Sequence, residues 1–233
     1  MGTQRTRVVF VAAAIALGVG LAGCGSGSGT GGSTSEQTAA SSSPSTSSAV
    51  PSTIAPPAGR AGTVGDYLRE NGITQTMVKR GDPTAPRLNL PMPAGWRDVG
   101  ADTPEDAYGA IVFEGATGAP SPPAIIARMA RLSGGDVDQA KILELAPNAV
   151  TNQPGYEGPE TGQPSSLSGF SATEIAGTVV QEGQPVFVAR KTVVIPGTDG
   201  IYLLALDAQS APDQQAALLD AMSVIDAETT IEP

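Results

Sequence analysis

The sequence predicts an α+β domain in which helices cover an antiparallel sheet. Three observations carry that class. Phe170 to Gln181 and Val186 to Pro196 are two long β-rich runs joined through Glu182-Gly183-Gln184-Pro185, a strong hairpin signal. Helical stretches stand at the start, middle and end of the foldable part, with strands grouped between them. The chain shows neither an internal repeat nor the βαβ alternation of a parallel sheet.

The chain opens on a leader. Arg5 and Arg7 precede an uncharged stretch from Val8 to Leu21, and Leu21-Ala22-Gly23 leads into Cys24, the single cysteine. A basic start, an apolar middle and small residues before a lone cysteine form a bacterial lipoprotein signal over residues 1–23. Cleavage before Cys24 leaves a diacylated thiol, and two or more acyl chains exceed the one-chain threshold for stable anchoring. The expected location is a lipid anchor in the cell membrane, with the protein facing the periplasm or extracytoplasmic space. Residues 24–62 are a Gly, Ser, Thr and Pro tether with only Glu36 and Arg60 charged, too poor in apolar surface to order itself. About forty such residues reach roughly 35 Å.

One globular domain is expected over 63–233. Thr63-Val64-Gly65-Asp66 reads as a capping box, Val64, Tyr67 and Leu68 share a helical face, and Gly72 stops the helix. Thr76 to Lys79 reads as a strand, followed by a turn at Gly81-Asp82-Pro83. Leu88 and Leu90 alternate with polar residues, and Pro91 and Pro93 before Trp96 confine that segment to a sheet edge or a loop. Tyr108 to Phe113 and Ala124 to Leu132 are further strands, separated by a Gly/Pro-rich loop from Gly115 to Pro123. A helix is predicted from Asp136, as its cap, to Leu145, with Pro147 ending it. Asn148 to Ser168 reads as an irregular segment. After the hairpin, Gly200 to Asp207 is a third strand, and a last helix starts at Pro212 with Ala216, Leu219, Met222 and Val224 or Ile225 turned inward.

Composition removes whole classes of function. Formal charge is −10, and losing Arg5 and Arg7 with the leader leaves 11 basic against 23 acidic residues, or −12. Such a body repels phosphate backbones, so nucleic acid is not an expected partner, and the lipid must do the membrane binding. With no histidine there is no histidine base, triad or metal ligand, and lipidation uses the only thiol. No cofactor or metal is implied. After Leu21 no stretch is long and apolar enough to span a bilayer as a helix.

With those segments in place, the chain resembles the mycobacterial LpqN/LpqT lipoprotein family over nearly everything past the tether. The resemblance rests on runs in a fixed order: Asp66 to Asn71, Gly81-Asp82-Pro83, Leu88 to Trp96, Tyr108 to Val112, Gly169 to Ala172, Arg190 to Pro196 and Val224 to Ile231. It implies an α/β/α sandwich of the Mog1/PsbP-like kind and a non-enzymatic envelope lipoprotein. It further implies a role beside MmpL-type transporters that move trehalose mycolates to the mycomembrane. It supplies no catalytic motif.

Three functions follow from these readings. The first is binding of a lipid or trehalose glycolipid, in an apolar cleft marked by a few polar groups. Aromatics make up only 4% of the chain, so the candidates are few: Trp96, Tyr108, Phe113, Tyr156 and Phe170. Each has core packing as its ordinary alternative, and Trp96, beside the Pro-rich turn, is the one expected to be exposed. The second is a protein–protein interaction module without a ligand cavity. The third is a carboxylate-based cell-wall hydrolase, which needs two carboxyl groups about 5–10 Å apart in a cleft. Asp102, Glu105, Asp106 and Glu114 are near in sequence, with solvated loop acids as their plainer reading. Arg128, Arg131 and Lys191 are available to steer an anion, although surface pairing is the default for such residues.

Overall fold

The computed structural model of the protein describes residues 60–116 and 121–233. The leader, Cys24 and the tether up to residue 59 lie outside the described residues, as does the centre of the 115–123 loop. Seven strands form one path in the order β3 (Trp96–Asp98), β4 (Gly109–Phe113), β5 (Ala124–Ser133), β9 (Gly200–Ser210), β8 (Gln184–Gly197), β7 (Phe170–Gln181) and β6 (Gln163–Leu167). All neighbours are antiparallel. An eighth strand, β1 (Thr74–Val78), pairs with the C-terminal half of β5, and β2 (Arg87–Asn89) pairs with β10 (Thr230–Glu232) in a separate ribbon.

The alternation along β8 separates two layers. Val193 and Ile195 belong to the same core as Leu218, Ala221 and Ile225 of α4 (Gln215–Glu228), together with Met129, Leu204 and Leu206. Val194, on the opposite face, packs with Leu68 of α1 (Val64–Glu70) and Ile142 of α2 (Gln139–Leu145). Farther along that face Val188 meets Val150 of α3 (Asn148–Thr151), with Ile175 and Val179 of β7. A period of two thus sends successive residues of one strand into different cores. The result is the expected α+β domain, layered as an α/β/α sandwich.

Local chemistry explains the boundaries. Thr63 and Asp66 form the capping box, and Gly72 takes φ +66° just after the Asn71 C-cap. The second helix begins later than predicted. Tyr67 Oη donates to Asp136 O and accepts from Asp138 N, which holds 136–138 out of the helix, so Asp138 rather than Asp136 caps α2. The helix ends at Leu145, before Pro147, as expected, and Pro147 stands at the N-cap position of a further helix, α3. Two short strands, β6 and β10, lie outside the predicted ones, because three to five residues are too few to show a strand period and pair only when a partner is present. In α4 the inward face is Leu218, Ala221 and Ile225. Ala216 and Leu219, predicted inside, are exposed. A 3-10 turn over Pro212–Gln214 precedes the α-helix and resets its rotation.

Candidate functional site

One edge of β5 has two partners in succession. Val78, the last residue of β1, pairs with Met129, and Gly109, the first of β4, pairs with Ala127. The chain between them leaves the sheet and returns, so side chains gather at the seam. Arg80 lies across Gly109 so closely that any Cβ there would strike its guanidinium. Its Nη1 donates to Asp98 Oδ2 at 2.8 Å, while Asp98 Oδ1 accepts from Gly100 N at 2.7 Å. The Gly100 N–H first, and then Arg80, lower the pKa of Asp98 below the ordinary 3.8. An open cleft of about 330 Å³ results, lined by Lys79, Arg80, Asp98, Thr103, Glu105 and Tyr108 among others. Cationic donors stand beside carboxylate acceptors and a tyrosine, an arrangement suited to several hydrogen bonds with a neutral, hydroxyl-rich group.

The five aromatic candidates do not converge on this cleft. Trp96, Tyr108, Phe113 and Phe170 all belong to the core beneath α4, Phe113 and Phe170 at its partly buried margin. Tyr108 alone also borders the cleft. Trp96 is 6% exposed, against the expectation of an exposed role. Its β3 register pairs it with Phe113, and the two rings lie 5.7 Å apart at 47°. The prolines bring the chain to the sheet edge, and the strand then turns the indole inward. Tyr156 sits on the other face, its Oη donating to Pro159 O at 2.8 Å, with Val150, Ile175, Val179 and Val188 beside it. Lys79, Arg80 and Asp98 escaped sequence reasoning. Arg80 and Asp98 are eighteen positions apart, and the one available signal was a glycine in the apolar Tyr108 to Phe113 run.

The three basic candidates are engaged. Arg128 bonds Asp106 at 2.8 Å and Asp207 at 3.0 Å, and Arg131 pairs with Asp199. Lys191, expected at the surface, is 2% exposed and pairs with Glu174 and Asp226, because it shares the inward face with Val193. Of the four acids proposed for hydrolysis, Asp106 is held by Arg128 and Glu114 by Arg97, and all four are exposed. Among the described residues no group of three or more Asp, Glu, His or Cys is placed to hold a metal.

With this geometry in hand, comparisons locate the chain among known proteins. A family model described as "Probable lipoprotein LpqN" matches residues 60–232. "Lipoprotein LpqN" of Mycobacterium tuberculosis is 40% identical over 171 residues, which cover 73% of this chain and 74% of the relative. The crystal structure of LpqN, described as involved in cell envelope biogenesis of Mycobacterium tuberculosis, superposes with a TM-score of 0.71 at 40% identity. That match covers 75% of this chain and all of the other.

Proposed function

Because the chain belongs to the family described as "Probable lipoprotein LpqN", we propose that it is a non-enzymatic lipoprotein of cell envelope biogenesis that binds the sugar head of a glycolipid. Lipid on Cys24 holds it to the membrane, facing the extracytoplasmic space. Its ligand is a trehalose glycolipid, and it assists an MmpL-type transporter in trehalose mycolate export. The observation that carries the ligand reading is the cleft at the β1–β4 seam. Its volume of about 330 Å³ is at the small end for a ligand site, and its Lys79, Arg80, Asp98 and Glu105 are wrong for acyl chains but right for sugar hydroxyls. The relative's part in envelope biogenesis agrees with this use.

Native mass spectrometry of residues 60–233 with trehalose monomycolate and with free trehalose tests the reading. The expected result is an adduct with both, lost on Arg80→Ala and weakened on Tyr108→Phe. An adduct with neither ligand would sink the glycolipid reading and leave docking on a protein partner.

A further inference from the structure

Beneath α4 lies a group of side chains that the cleft does not use. Lys191, in the middle of β8, is 2% exposed and faces the apolar core. Its Nζ is 2.7 Å from Asp226 Oδ1 on α4 and 3.0 Å from Glu174 Oε2, its cross-strand partner on β7. It also lies 3.0 Å from Ser165 Oγ on β6, which in turn bonds Glu174 Oε2 at 3.2 Å. Among the described residues this is the one buried lysine, and it has two carboxylates where charge balance needs one. An amine held against one carboxyl group, with a second acid beside both, is the set of groups that amide condensation requires.

We propose that Lys191 and Asp226 become joined by an intramolecular amide, with Glu174 as the proton relay. The step balances without a co-reactant. The ammonium passes a proton to Glu174, which hands it to Asp226, and the freed nitrogen attacks Cγ of the neutral carboxyl group. The Nζ–Cγ bond forms and one Cγ–O bond breaks. The departing oxygen takes two protons that the nitrogen has lost, one delivered by Glu174, and leaves as water. Glu174 ends unchanged, and the positive and negative charges of the pair vanish together. In water this condensation is unfavourable between free partners, but fixed contact replaces concentration, with effective molarities of about 10⁵–10⁸ M for well-oriented groups. Lysine is an established protein nucleophile once it has lost its proton. Asp226 and Glu174 are 37% and 46% exposed, so the water has an exit. The bond would tie α4 to the centre of the sheet.

Intact-mass measurement on the denatured, full mature lipoprotein from its own envelope decides the matter. The expected mass is one water below that of the lipidated sequence, and digestion yields one branched peptide joining positions 191 and 226. Asp226→Asn is expected to lose one ammonia instead and give the same branch, whereas Glu174→Gln keeps its full mass. An unshifted wild-type mass, with Lys191 and Asp226 in separate linear peptides, overturns the proposal. Water loss that persists in Glu174→Gln overturns the relay. The wild-type result stands whether or not any variant folds.

Discussion

Asp66 shows how much one side chain can do at a helix start. Its carboxylate accepts from Thr63 N at 2.9 Å and Thr63 Oγ1 at 2.7 Å, and it pairs with Arg69. The Thr63 backbone N–H, then the Thr63 hydroxyl, then Arg69 lower its pKa from 3.8 to about 2. A carboxylate with a lowered folded value stabilises fully above the unfolded one, and that stability is lost as pH falls from 3.8 through about 2. Thr63→Ala is therefore expected to cost about 1 kcal/mol near pH 6, as loss of an N-cap does. The difference from wild type should shrink on the acid side, which urea titrations near pH 6 and pH 2.5 would read. Lys191 makes the complementary point. Its charge suggested a surface role, yet strand alternation determined its place, because Val193 two positions on is a core residue.

At the scale of elements, α4 offers the sharpest test. Its sequence holds apolar residues on more than one side, so periodicity alone admits two rotations. Leu218 is fully buried against the sheet, while the adjacent Leu219 is 45% exposed. Leu218→Ala should lose about 2–5 kcal/mol in thermal or denaturant melts, the usual cost of a cavity in a core. Leu219→Ala should stay within about 0.5 kcal/mol of wild type. Equal losses would reverse the assigned face. The seam between β1 and β4 is likewise an element-level product. Neither strand contains the cleft; their in-line pairing along β5 brings Arg80 over Gly109 and within reach of Asp98.

For the whole molecule, the proposed lipid anchor and the fold are separate tasks. With 13 basic against 23 acidic residues, the chain gains little overall attraction from anionic headgroups. Retention should therefore rest on Cys24 alone. Cys24→Ala is expected to appear in the soluble extracytoplasmic or secreted fraction, while wild type stays with membranes through a high-salt wash. Loss of wild type in salt would show that charge, not lipid, does the holding. The folded part needs no disulfide to persist: the sheet has a packed layer on each side, and the hydrophobic cores on both faces are extensive.

Sequence alone determined the α+β class, the capping box and the long strands β5, β7, β8 and β9. These follow from short-range chemistry or from runs long enough for their period to be plain. Tertiary structure decided the rest. The β2–β10 ribbon exists because residues 87–89 and 230–232 meet, and neither segment reveals its distant partner by itself. Tyr67 moved the start of α2 by bonding a segment 69 and 71 positions away. The burial of Trp96 and the pairing of Arg80 with Asp98 depend on strand register. Register is a contact between distant residues, and a local pattern does not contain it.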